Sequence, residues 1–331
     1  MSEVEAAALV ARPADALASV GPGRSDGRPE RKLPARVVSA RVGLRARLLE
    51  LWRSRELLVF LVRKELKVKY KNSALGFAWS MLNPALVLAV YYVVFTVFLP
   101  NGIPHFALFL FSGLLAWNLF NTGLMGAAGA IVNNAAIVKK VAFPREILAL
   151  AQVGTACVFF CFQGIVLVAF FAGFRYAPDW SYLPLIPLAL LAIIVFTSAF
   201  AIFLSAVNVY MRDTQHLIEV LLTAWFWGAP VVYAFSEVYN KLNKHRLFGI
   251  PGTHLIWLYL FDPLAPVVLS FQRALFGFAP VVKGTTQHVL HAYPYLWYVE
   301  VLSIVLVVSI GLFLLAMLLF GRIEGNFAEE L

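Results

Sequence analysis

Five cations, Arg63, Lys64, Lys67, Lys69 and Lys71, share a short stretch with Leu58, Leu61, Val62 and Leu66. At helical spacing the four aliphatic side chains fall on one side, and Arg63, Lys64, Lys67 and Lys71 fall on the other. The chemistry open to such a row is the binding of phosphate oxygens. A basic amphipathic helix of this kind lies in a membrane–water interface, with its apolar face in lipid and its cations toward anionic headgroups. Lys69 departs from the pattern, because it falls on the apolar side and must reach past it to water. The helix leads through an expected turn at Asn72–Gly76 toward Trp79, and Asn83-Pro84 opens a long apolar run. A soluble domain has no use for that layout, and a simple anchor does not need the interfacial helix.

Signals for covalent chemistry are missing. The chain has no G-x-x-x-x-G-K-[ST] phosphate loop, no H-E-x-x-H and no Asp-x-Asp pair, and GPGRSDGR at 21–28 lacks both the Lys-Ser/Thr and a preceding strand. His105, His216, His245, His254, His288 and His291 fall in loops or near the ends of apolar runs, where they read as solvated or headgroup-level residues. Cys157 and Cys161 sit on one apolar helix and read as free, small, buried side chains, too few for a metal site or a disulfide framework. No catalytic residue, metal or cofactor is expected on this chain.

Around these residues the composition dictates a membrane setting. Of 331 residues 61% are hydrophobic and 14% charged, whereas soluble domains are roughly half apolar and about 25% charged. Several runs exceed the roughly 20 apolar residues that cross a bilayer. The expected fold is all-α: a polytopic membrane protein with six transmembrane helices, at about 79–99, 105–132, 147–174, 185–210, 217–234 and 295–320. An N-terminal amphipathic interface helix and external re-entrant helices complete it. Residues 1–45 read as a disordered cytoplasmic tail without a signal-peptide core, 46–76 as the interface-helix region, and 77–331 as the transmembrane domain. Residues 1–78 hold 16 Lys/Arg against 8 Asp/Glu, so +8 of the net +9 sits there. Cations flanking the first span are what the positive-inside rule requires, which excludes nucleic acid as the expected partner and makes both termini cytoplasmic.

Other positions invite function. Residues 133–143 read as a short cytoplasmic helix carrying Lys139 and Lys140, stopped by Phe143-Pro144, with Arg145 and Glu146 leading into the next span. It is either a basic turn that anchors two spans or a helix that docks into a cytoplasmic partner. Trp79, Trp180, Tyr182, Trp257, Tyr293, Tyr295 and Trp297 suit interfacial belts. Tyr91, Tyr92, Phe95, Trp117, Phe120, Trp225 and Trp227 lie deeper, either packed toward lipid or lining a pore whose aromatic faces could stack on the C–H faces of sugars. The 235–293 segment holds apolar pieces too short to cross the bilayer, punctuated by Asp262-Pro263 and carrying Arg273, which fits re-entrant or interfacial helices at about 250–280. Glu300, inside the last span, needs a partner, either Arg273 or a polar lumen.

The order RKELKVKYKNSALGFAWSMLNP, IVKKVAFPREIL, NVYMRDTQHLIEVLLTAWFWGAPVVY and then a DPL-containing segment resembles the membrane subunit of type-2 ATP-binding-cassette exporters of polysaccharides, such as O-antigen, teichoic acid and mycobacterial galactan permeases. The resemblance covers about residues 50–331. It implies a homodimer of this subunit pairing with two copies of a separate nucleotide-binding ATPase that binds the MgATP. It makes Leu57–Lys71 the interface helix and 133–142 the coupling helix, with Lys139 and Lys140 nearest the ATPase. Residues 257–278, with Asp262 and Arg273, become external gate helices. Spans one, two and five would line the channel, with Tyr91, Phe95, Trp117 and Trp225 as its foremost aromatic positions. The cargo would be a lipid-linked polysaccharide leaving the cytoplasm across the plasma (inner) membrane, and the Ala/Arg/Pro bias of the N-terminal extension tilts it toward a galactan type. The cations Arg63, Lys64, Lys67 and Lys71, ahead of Lys69, would then hold either the carrier's pyrophosphate or only bulk membrane lipid. Rival readings are the permease of a drug or small-lipid exporter, and a membrane glycosyltransferase.

Overall fold

The computed structural model describes residues 43–71, 78–99, 102–244, 251–278, 281–282 and 288–330. The expected turn at Asn72–Gly76, most of the expected tail, and His245 lie outside the described residues. Helix α1 (Leu44–Arg53) is followed after Ser54 by α2 (Arg55–Lys69). Helix α3 (Trp79–Val93) runs on into a π-helical turn, Val94–Phe98. The chain continues through α4 (Phe106–Ala128), two short helices α5 (Ala130–Asn133) and α6 (Ala135–Lys140), then α7 (Glu146–Phe174) and α8 (Leu185–Tyr210). After a turn come α9 (Thr214–Gly228), α10 (Phe235–Lys244), α11 (Gly252–Leu260) and α12 (Leu264–Leu275). Helix α13 (Tyr295–Ile323), a 3₁₀ turn and α14 (Phe327–Glu330) close the chain. No strand forms among the described residues; one antiparallel bridge pairs Val281 with His288. The chain is an all-α polytopic membrane protein.

Among the described residues five helices are long and apolar enough to cross a bilayer: α3 with its π turn, α4, α7, α8 and α13. The span expected at 217–234 is not continuous. Helix α9 stops after 15 residues, roughly 22 Å at 1.5 Å per residue, short of the roughly 30 Å hydrocarbon core. The stop has a local cause in Gly228-Ala229-Pro230. Proline disfavours the helical region for the residue before it, and Ala229 is extended with φ −81° and ψ 147°. The Pro230 carbonyl instead accepts a hydrogen bond of 2.9 Å from Gln272 Nε2 on α12. Helices α11 and α12 meet at 85° across Asp262-Pro263, forming either one broken span or a re-entrant pair. With that pair counted as one span, the candidate spans among the described residues number six.

Helix α4 is the hub, buried along most of its length against α7, α8 and α12. Small residues let the helices close up on the side of α1 and α2, where Ala127, Ala130, Ala149, Ala151, Ala201, Ala206 and Ala316 are all buried in one cluster. Helix α2 belongs to this cluster. Its apolar face was expected in lipid; instead Leu61 is buried and Leu57, Leu58 and Val62 pack against α7 and its neighbours. Gly154 makes this approach possible, because a Cβ there would lie 2.8 Å from Val62 Cγ2. Helix α2 also ends at Lys69, so Lys71 sits in the turn beyond it.

A side chain at position 154 therefore has to push α2 off α7. Gly154→Leu is expected to destabilise the chain by about 1–3 kcal/mol, read as a lowered thermal midpoint of the detergent-solubilised protein. Gly164→Leu, on the same helix but with nothing within 4 Å of its would-be Cβ, is expected to leave the midpoint unchanged or raised. Equal behaviour of the two variants would rule out the close packing of α2 on α7.

Candidate functional site

Three helices turn polar or aromatic stripes toward one another. On α3, Trp79, Asn83, Val87 and Tyr91 recur every four residues and so share a face. On α4 the corresponding stripe includes Asn118 and Thr122, and on α7 it includes Phe159 and Gln163, each pair again four apart. With Lys69 and Tyr70 at the end of α2, these faces enclose a cavity of about 470 Å³. Asn118 Nδ2 donates to Gln163 Oε1 at 2.8 Å across the gap between α4 and α7. Pro84, also in the wall, removes the amide that would close the helical bond to the carbonyl four residues earlier. The α3 side is the open one, with Trp79 and Val87 exposed.

Lys69 explains its own irregular place on the helical wheel. Its Nζ lies 4.1 Å from the centre of the Phe159 ring, at the cavity lining. Loss of water around the ammonium lowers its pKa from the ordinary lysine value. Among the described residues no carboxylate lies within ion-pair distance of it. The other cations divide. Arg63, Lys67 and Lys71 are exposed, as Lys69 is. Lys64 donates to Glu65 Oε1 at 3.1 Å and to Asn134 Oδ1 at 2.9 Å, so it ties α2 to the residue that starts α6.

The expected coupling segment is also split in its surroundings. Lys139 and Lys140 are exposed on α6, flanked by exposed Ile137 and Val141, while Val138 anchors the helix in the core. Arg145 and Glu146 turn away into a buried knot. Arg47 on α1 donates to Glu146 at 2.8 Å and bonds Glu324 after α13. Arg145 donates to the Glu324 carbonyl at 2.6 Å and lies over the Phe327 ring. Burial alone would lower the Arg47 pKa, but the hydrogen bond and charge of Glu324, then Glu146, hold it above its usual value. Gly321 leaves the room, since a Cβ there would sit 2.6 Å from Arg47 Cζ. The knot places α1, the start of α7 and the end of α13 on one face.

At the opposite ends of the spans, Arg273 on α12 donates to Asp179 Oδ2 at 2.6 Å and stacks over Tyr182 at 3.6 Å. Its partner is thus Asp179, in the loop between α7 and α8; Glu300 is exposed. Asp262, at the bend between α11 and α12, accepts from Trp225 Nε1 at 3.0 Å and from the Leu264 amide at 3.1 Å, linking the bend to α9.

The seven deep aromatics have several environments. Trp117 and Phe120 are buried in the subunit, Trp117 against Phe226, and Phe120 between Phe196 and Trp225. Phe95 lies 4.4 Å from Phe106, centre to centre. Tyr91 lines the cavity, Tyr92 is exposed beside Phe174, and Trp227 is 62% exposed. Sequence reasoning missed Asn83, Asn118, Thr122, Phe159 and Gln163. The signal available for them was an amide inside an apolar run with a polar or aromatic residue four positions away. For Arg47 and Asp179 as ion-pair partners the sequence held no local signal.

The sequence matches known proteins over most of its length. The ABC-2 type transporter family matches residues 56–245, from α2 through α10. The O-antigen export system permease protein RfbA of Myxococcus xanthus is 35% identical over 230 residues, covering 69% of this chain and 83% of that protein. Two proteins of the same name from Klebsiella pneumoniae are 28% and 29% identical over 276 residues, covering 83% of this chain and 95% of theirs. With most of its length shared, from the docked interface helix through the spans, this chain belongs to the ABC-2 type transporter family, as a membrane subunit of the kind that pairs with an ATP-binding subunit.

Proposed function

We propose that this chain is the channel-forming permease of an ATP-driven exporter of a lipid-linked polysaccharide. The observation that carries the reading is the similarity to O-antigen export permeases along 83% of the chain and 95% of two relatives. Physical chemistry supports it. A sugar polymer cannot enter hydrocarbon, because its hydroxyls would lose their hydrogen bonds, so it needs a polar path whose side opens to the bilayer for the anchor. Two copies of the chain would form that path. Tyr92 and Trp227, on helices that the single chain leaves largely exposed, are the rings available to a channel shared between copies. MgATP would be hydrolysed on two copies of the partner. The sugar is of the O-antigen, teichoic-acid or galactan type.

The face that carries Arg47, Glu146 and Glu324 also carries the greatest excess of cations, so it is the cytoplasmic face by the positive-inside rule. Both termini then lie in the cytoplasm. Cysteines placed at Arg53 and Arg322 are expected to resist a membrane-impermeant maleimide in intact cells, whereas one at Trp180 is labelled. Labelling at 53 or 322 overturns the orientation.

Exposed Lys139 and Lys140, on a short helix whose lead residue is held by Lys64, are suited to receive a push from the ATPase. Purified chain alone is expected to hydrolyse no ATP, and robust hydrolysis without a partner would sink the assignment. In the assembled complex, Lys139→Glu with Lys140→Glu is expected to lower polymer export roughly tenfold or more through charge reversal at the contact, while ATPase activity continues. Normal surface polysaccharide in cells carrying the double variant would remove these lysines from coupling.

A further inference from the structure

We propose that the cavity between α2, α3, α4 and α7 binds the phosphorylated sugar headgroup of a membrane-anchored saccharide, with Lys69 taking the phosphate and Asn118 and Gln163 taking sugar hydroxyls. The inference deepens the reading above and rests on it.

The first support is polarity at depth. Asn118 and Gln163 belong to helices long and apolar enough to span the membrane, where amides are costly unless they line a polar space or find partners. Their mutual bond of 2.8 Å uses one donor and one acceptor, and an amide side chain has further donor and acceptor capacity. A sugar, dense in hydroxyls, matches that remainder; an acyl chain does not.

Shape and surface agree. A volume of about 470 Å³ falls in the roughly 300–1,000 Å³ range of small-molecule sites. Trp79 and Tyr91 supply flat faces for the C–H side of a pyranose, beside amides for its edges. Lys69 is the cation of this lining, and among the described residues it has no acidic partner to neutralise it. A phosphate supplies that counter-charge. Because the α3 wall is open at Trp79 and Val87, the hydrocarbon anchor can remain outside the subunit while its headgroup enters. The same anionic chemistry could come from an ordinary phospholipid, and the sugar contacts distinguish the two sources.

The test uses the full chain co-purified with its ATP-binding partner, without nucleotide, in phosphatidylcholine nanodiscs. Three probes are titrated: a polyprenyl diphosphate bearing a disaccharide, the same polyprenyl diphosphate without sugar, and phosphatidylglycerol. The disaccharide probe is expected to bind roughly tenfold more tightly than phosphatidylglycerol. Lys69→Gln is expected to weaken both polyprenyl probes by roughly tenfold, the loss typical of a hydrogen bond to a charged group, and Lys69→Arg to retain them. Asn118→Ser, a small change chosen to preserve folding, is expected to narrow the gap between the sugar-bearing and sugar-free probes. Equal binding of phosphatidylglycerol and the disaccharide probe, an equal loss from Lys67→Gln, or an unchanged gap in Asn118→Ser would each overturn the site. If cells export polymer while no probe binds here, the site fails and the exporter reading stands. If the probes bind as expected and the chain supports no export, the exporter reading fails and a headgroup site remains.

Discussion

Glu146 is buried at the first turn of a long apolar helix, and a carboxylate so placed needs compensation. The helix N-terminus gives part of it, through the positive end of the helix dipole. Arg47 gives the rest and in doing so reaches Glu324, which brings together segments from the beginning, middle and end of the described chain. Breaking a buried ion pair on one side leaves a stranded charge, generally at a cost of about 3–5 kcal/mol. The knot is therefore less a source of stability than a constraint on geometry. Helix α1 can sit only where its arginine meets both carboxylates, and Gly321 has to be small for the guanidinium to pass.

The position of α1 fixes that of α2, one residue later, and α2 is pressed onto α7 at Gly154. This docking converts a helix that composition assigns to the lipid surface into part of the protein core. It also determines what its cations can do. Arg63, Lys67 and Lys71 stay exposed, Lys64 bridges to the residue that starts the helix bearing Lys139 and Lys140, and Lys69, also exposed, has its ammonium over Phe159 at the rim of the cavity. The bond from Lys64 to Asn134 thus joins the helix that carries Lys69 to the segment proposed to meet the ATPase.

The opposite ends of the spans are organised on a similar plan. Trp225 and Asp262 link α9 to the bend between α11 and α12, and Gln272 binds the carbonyl freed where Pro230 ends α9. Arg273, Asp179 and Tyr182 hold α12 to the loop after α7. Each break in a helix is matched by a side chain from another helix, as irregular backbone in an apolar medium requires. The aromatic rings Trp117 and Phe120 pack among these linkages, so they shape the subunit from within.

Hydropathy and periodicity alone determined that the chain is helical and membrane-embedded, where five long helices begin and end to within a few residues, and that α2 is amphipathic with a basic face. These properties are local: a run of apolar residues has to be helical in lipid, and a proline stops a helix wherever it falls. The same local chemistry foreshadowed the 85° bend at Asp262-Pro263 and could have given the short α9, from Gly228-Ala229-Pro230. Tertiary structure alone decided which face of α2 meets protein, which cation enters the cavity, and which acids answer Arg47 and Arg273. Arg47 and Glu324 are 277 positions apart, and Arg273 and Asp179 are 94 apart. No pattern along the chain encodes such pairings, because they depend on how helices with similar apolar surfaces choose one another. That choice rests on small residues and on a few buried polar groups, whose partners become known only once the helices are packed.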